Sequence, residues 1–267
     1  MPSQRRGGEA AVVPLEPYAE QVATTDGRVP GERGLQTRQR LLDATVELLT
    51  TTSWRSVKVT DIAREARTSP ATFYQYFGNV EQAIQVLAEG MVEEAAQLAD
   101  LVGGDWSDDA SWDTACAVTE GFLSYWEDNR AVFRVVDLAT EEGDAQLRGI
   151  RVRALNAVTV ALAQVIAAAS PSPEAGPGAG TCSPAGSDPM AVAGTLVAMF
   201  ASVSAHRYGF EFWGIRTRNL VDTQARTLHW AVTGRPAPEA EIAPREATRP
   251  RTGPVLGGAT ARRRRST

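Results

Sequence analysis

The stretch TDIAREARTSPATFYQYF, Thr60 to Phe77, decides the fold. It reads as two short helices joined by a tight turn. Val57, Val59, Ile62, Ala63 and Ala66 carry the apolar positions of the first, with Thr60 as its expected N-cap. The second is expected to open at Ser69, whose hydroxyl can accept the free backbone N–H groups of the first turn, and Pro70 suits the first helical position through its fixed φ. Gly78 and Asn79 end it. Phe73 and Phe77 stand four residues apart, share a face and form the core stripe. Tyr74 and Tyr76 lie off that stripe, so two hydroxyls occupy faces the core does not use.

Two helices joined in this way are the pattern of a helix-turn-helix, whose second helix enters the major groove of DNA. On that geometry the hydroxyls of Thr72, Tyr74 and Tyr76 face phosphate oxygens, which fix register without reading sequence. Ala71 is small enough to let the backbone approach the bases, and Gln75 can pair with adenine. Ser69 and Pro70 complete the leading surface.

Outward from this unit the pattern stays helical. TRQRLLDATVELLTT repeats its apolar residues at three, four and seven, which predicts a helix from Thr37 to Leu49. Further helices are expected over Val80 to Leu101, Ser111 to Glu127, Arg130 to Glu141 and Asp144 to Ala169. Residues 170–188 form a Pro/Gly/Ser loop, and two last helices, Pro189 to Trp213 and Thr217 to Thr233, follow it. No alternating β-type run of useful length occurs. The predicted fold is all-α: a disordered arm over 1–35, a three-helix helix-turn-helix DNA-binding domain over 36–80, a larger helical domain over 81–233, and a disordered Arg-rich tail over 234–267.

The formal net charge of -5 hides an asymmetry. Residues 37–78 hold 6 basic and 4 acidic groups, and 79–233 hold 9 basic and 20 acidic. The tail holds 8 and 3. A polyanion is thus admitted at one end and repelled by the bulk. The N-terminus lacks the apolar core of a signal peptide and no apolar run spans a membrane, so a cytoplasmic protein without a membrane partner is expected. Cys116 and Cys182 are the only cysteines, expected free; with two histidines they make no metal set of familiar spacing, and no cofactor is expected. No nucleophile motif or phosphate loop accompanies the acidic cluster of Glu141, Glu142 and Asp144, which argues against an enzyme.

At these residues the chain resembles the tetracycline-repressor (TetR) family of transcriptional regulators. The resemblance rests on Leu41, Leu42 and Ala44, on DIAREA at Asp61 to Ala66, on SPATFYQYF at Ser69 to Phe77, and on Glu81, Ala83 and Ile84. It implies an all-α homodimer with an N-terminal DNA-binding domain and a C-terminal domain that binds a small effector and dimerises through its last two helices. Carried over by residue, it implies that Lys58 and Thr60 meet the backbone or a base edge. Pro70, Ala71 and Gln75 then face bases, while Thr72, Tyr74 and Tyr76 face phosphate. Two departures stand out. Arg67 occupies a helix end where the family often has glycine, and Val80 occupies a position where a lysine commonly meets phosphate; Arg38 and Arg40 are candidate substitutes.

Phe122, Trp126 and Phe133 fall on two consecutive helices, and the resemblance makes them walls of an effector pocket, with Trp112 and Met199 as further candidates. No run of charged residues announces a charged ligand, so an apolar or aromatic effector is expected. Core packing is the competing reading at each position. The expected function is a repressor that binds a pseudo-palindromic operator as a dimer and is released by its effector. The alternative is a constitutive DNA-binding or architectural protein without effector control.

Overall fold

The computed structural model describes residues 24–169 and 187–238, and among them nine α-helices and no strand. Cys182, the arm up to residue 23 and the Arg-rich end after residue 238 lie outside the described residues. The first unit comprises α1 (Glu32–Thr51), a 3-10 turn at Trp54–Ser56, α2 (Val59–Glu65) and α3 (Pro70–Tyr76). Its core is Leu41, Leu42 and Leu49 of α1 closed by Ile62, Phe73 and Phe77. Burying such side chains contributes about 1.5–3 kcal/mol each.

Three boundaries differ from the sequence reading. The first helix begins at Glu32, within the expected arm, because the bonds from Gly34 and Leu35 to the Gly31 carbonyl (2.8 and 3.0 Å) close a turn ahead of Thr37. Residues 24–31 before it are folded against α3. Thr60 is not an N-cap: Asp61 and Ile62 donate to the Lys58 carbonyl (2.9 and 3.1 Å), so Lys58 takes the cap position and Thr60 lies inside the first turn.

Between α2 and α3, Arg67 adopts the left-handed conformation (φ 54°). Thr68 donates to the Ala63 carbonyl (2.8 Å) and Arg67 to that of Arg64 (3.1 Å), the paired bonds of a Schellman cap. The turn is therefore the one a glycine would make, at the steric cost of a Cβ.

The longest link between the two units is α4 (Val80–Val102). Asn79 caps it by accepting from Gln82 N (2.8 Å), while the Gln82 side chain accepts from Gly78 N (2.6 Å). Val80, Ala83 and Ile84 belong to the first core; Met91, Val92, Ala95 and Leu98 belong to a second one. That second core is filled from α5 (Ser111–Asp128), α6 (Arg130–Glu141), α7 (Ala145–Ala169), α8 (Pro189–Phe212) and α9 (Thr217–Thr233). Two of these helices, α7 and α8, are long and apolar enough to cross a membrane by length and composition. Here α7 packs chiefly on α4 and α8, and Ile150, Val158 and Leu162 are sealed in the core.

Candidate nucleic-acid interface and effector cavity

The short helix α3 is built to show one face. Ser69 N-caps it, its hydroxyl accepting from Thr72 N (3.1 Å) and meeting the Thr72 hydroxyl (2.9 Å), and Pro70 follows at the first position. Phe73 and Phe77 are buried with ring centroids 5.4 Å apart. Opposite them Pro70, Ala71, Tyr74 and Gln75 are exposed, with Tyr74 at 52% and its ring edge-on to Phe73. Lys58 and Thr60 are exposed too, at the start of α2. Tyr76 is different. It is half-buried, its ring packs on the first core, and its hydroxyl lies against Gly34 of α1.

Arg38 is buried in the first unit, its guanidinium over the Phe77 ring at 5.3 Å. It braces α1 on α3 rather than standing on the surface. Arg40 is exposed and donates to the Thr37 hydroxyl (3.1 Å).

The larger unit holds a cavity of about 740 Å³ between α6, α7 and α8, closed at its inner end by α5. That volume suits a small organic ligand. Trp126 and Phe133 line it, their rings stacked at 3.9 Å. Phe122 stands behind this pair, 6.2 Å from Trp126 and 5.3 Å from Phe200, buried in the core. Met199 packs against the core and does not line the cavity. Trp112 lies elsewhere, edge-on to His229 of α9 at 5.9 Å and under the Arg226 guanidinium.

Charge enters the cavity mostly from residues the sequence did not single out. Arg130, Arg134 and Arg151 line it along with Asp137 and Glu141. Arg151 pairs with Asp137 (2.6 Å), and Arg130 lies over the Tyr208 ring at 4.1 Å. Of these, Arg130, Arg134 and Glu141 are exposed, while Arg151 and Asp137 are half-buried where α6 packs on α7.

One helix serves both units. While Phe133 and Arg134 of α6 line the cavity, Val135 is buried in the first core and Ala131 packs against it. Arg134 also donates to the Leu49 carbonyl at the end of α1 (3.3 Å), and Arg55 pairs with Glu142 just after α6.

An exposed recognition helix on one unit and a ligand-sized cavity in the other define a DNA-binding regulator. The tetR family of bacterial regulatory proteins matches residues 41–82, and the tetracyclin repressor-like C-terminal domain matches residues 98–239. The chain belongs to the tetracycline-repressor family of transcriptional regulators. No curated protein matches it. Among solved structures, the fatty acid degradation regulator FadR of Bacillus halodurans is similar at 14% identity and a TM-score of 0.55, over 75% of this chain and 96% of that one. FadR of Bacillus subtilis, solved with stearoyl-CoA, gives 17% and 0.52 over 73% and 98%. A TetR-like regulator from Rhodococcus sp. RHA1 gives 17% and 0.52 over 77% and 96%. At these identities the likeness is one of fold.

Proposed function

We propose that the chain is a dimeric repressor whose affinity for a two-fold operator falls when an amphiphilic anion fills the cavity between α6, α7 and α8. The double duty of α6 carries this reading. A ligand against Phe133 and Arg134 presses on the helix that holds Val135 in the core of the DNA-binding unit. Any shift of α6 is then passed to α1 and to the recognition helix packed on it. A ligand lowers DNA affinity only by the difference between its affinities for the two arrangements; a hundredfold difference corresponds to about 2.7 kcal/mol.

Apolar walls at Trp126, Phe133, Leu155 and Val197 suit the apolar effector expected from the sequence. The five charged lining groups add to it: three arginines against Asp137 and Glu141 leave one positive charge for an anionic end. Stearoyl-CoA, bound by the Bacillus subtilis neighbour, has that chemistry. Exposed aromatic residues at Phe212, Trp213 and Trp230 support a dimer through α8 and α9, since such surface is normally covered, most often by a two-fold copy.

The test uses the full-length protein and a duplex selected from a randomised pool. Palmitoyl-CoA, free coenzyme A and hexadecanol are titrated into the complex. Release by palmitoyl-CoA at micromolar concentration, without release by the other two, supports the reading. Binding indifferent to all three returns the protein to constitutive DNA binding.

A further inference from the structure

The segment just before α1 is folded onto the recognition helix in a way its role in the fold alone does not require. Residues Thr24 to Arg28 close on themselves: Thr24 N and its hydroxyl both donate to the Arg28 carbonyl (2.8 Å each), and Gly27, at φ +82°, donates to the Thr24 carbonyl (2.8 Å). The resulting turn is anchored by Thr25, whose N–H donates to the Gln75 carbonyl and whose hydroxyl donates to that of Tyr74, both at 2.9 Å. Those carbonyls belong to the last turn of α3, where no residue of the helix can satisfy them.

The turn and the helix are the two walls of one cleft of about 560 Å³, with Thr25, Asp26 and Arg28 on one side and Ala71, Tyr74 and Gln75 on the other. A duplex strand lying along Ala71 and Gln75 therefore meets the turn as well. Arg28 is 86% exposed, and its ion pair is a loose one at 3.4 Å to Asp26, itself exposed. Such a pair contributes little, and a phosphate oxygen is a stronger partner for the guanidinium.

We propose that the Thr24–Arg28 turn is a second DNA-contacting element, in which Thr25 locks the end of the recognition helix and Arg28 binds the phosphate backbone beside it. Asp26, the one acid of the turn, then opposes binding.

The experiment measures the affinity of full-length variants for a duplex selected by the wild type from a randomised pool, across a series of salt concentrations, with thermal unfolding of each variant alongside. Arg28→Ala is expected to weaken binding about 3- to 10-fold and to lower the salt slope by about 0.9, the value of one lost phosphate contact. Asp26→Asn is expected to tighten binding by about 2- to 5-fold, because one repulsive charge leaves the interface. Thr25→Val should weaken binding and Thr25→Ser restore it. Unchanged affinity and slope in both Arg28→Ala and Asp26→Asn would overturn the proposal. So would tighter binding by Arg28→Ala, which would make the turn a cover over the helix instead of a contact.

Discussion

Arg134, on the cavity wall, donates to the backbone carbonyl of Leu49, whose side chain is sealed in the core of the DNA-binding unit. The Leu49 carbonyl lies in the last turn of α1, where helical partners run out, so this bond satisfies an end group as well as joining two units. Arg134→Ala removes it without touching α3. The expected outcome is DNA affinity within about threefold of wild type, and release by a saturating ligand weakened by roughly 1 kcal/mol, within the usual range of coupling between sites. Comparing operator affinity with and without palmitoyl-CoA checks it; an unchanged release ratio would remove Arg134 from the relay.

Arg67 offers a stability prediction of opposite sign to most substitutions. Its left-handed conformation costs a residue with a Cβ about 1–2 kcal/mol, and glycine returns part of that gain through the entropy of the unfolded chain. Arg67→Gly should stabilise the protein by roughly 0.5–1 kcal/mol in denaturant unfolding, whereas Arg67→Ala should not. A loss of stability in Arg67→Gly would mean that the side chain, exposed here, does something for the fold that its contacts do not reveal.

The helix-turn-helix was legible because its determinants are local. Ser69 with Pro70 sets where α3 begins, and Phe73 with Phe77 sets which face is buried, all within nine residues. The cavity was half legible. The family resemblance pointed to Trp126 and Phe133, which line the cavity, but also to Phe122, which is buried in the core, and to Met199, which packs against it. Nothing in the helical period separates a cavity wall from a core residue when both are apolar. The sequence offers Arg38 as a candidate phosphate contact and does not single out Arg134, and each is placed by an element more than thirty positions away: Arg38 by Phe77, Arg134 by Leu49. The turn at Thr24 closes through its own bonds around Asp26 and Gly27, an ordinary turn pair, but its docking on α3 through Thr25 and two backbone carbonyls left no mark in a stretch that reads as part of a disordered arm.

A pH dependence follows from His229. The ring is buried, its Nε2 meets the Ser111 hydroxyl at 3.1 Å, and Trp112 and Arg235 flank it. Burial is the main cause that holds its pKa below the ordinary histidine value, so the unfolded chain takes up a proton first as pH falls. The stability that His229 contributes is complete above about pH 6.5, the unfolded value, and is lost as pH drops from there toward the folded pKa. Thermal unfolding from pH 8 to pH 5 should therefore show the Tm of wild type falling faster than that of His229→Gln. Parallel curves would show that protonation of this ring is not linked to unfolding.

The α8–α9 surface makes a prediction about assembly. Phe212 and Trp213 are about 60% exposed at the end of α8, and Trp230 stands out from α9. A charge placed in the centre of an apolar two-fold interface appears twice, once from each subunit, and faces its own copy or apolar surface. Phe212→Glu and Trp230→Glu should each shift the protein from dimer to monomer in light scattering at micromolar concentration, with little change in helical content. DNA binding should weaken in parallel, because two recognition helices tethered together gain from effective concentration what one alone does not. Dimers that persist in both variants would move the interface to another face.

The two tyrosines of α3 separate a surface role from a core role on one helix. Tyr74 is exposed and only its ring edge touches Phe73, so its hydroxyl is open to a phosphate; Tyr76 is half-buried, with its hydroxyl against Gly34. Tyr74→Phe removes one hydrogen-bond donor and no packing. It should weaken operator binding by about 1 kcal/mol, roughly fivefold, while leaving unfolding unchanged. Tyr76→Phe should leave DNA affinity intact, because its hydroxyl meets Gly34 in the packing of α3 on α1. Tyr76→Ala removes the ring itself from the edge of the first core and should cost measurable stability, where Tyr74→Ala costs almost none. Equal stability loss from both alanine variants would contradict the division of the helix into a buried and a DNA-facing side.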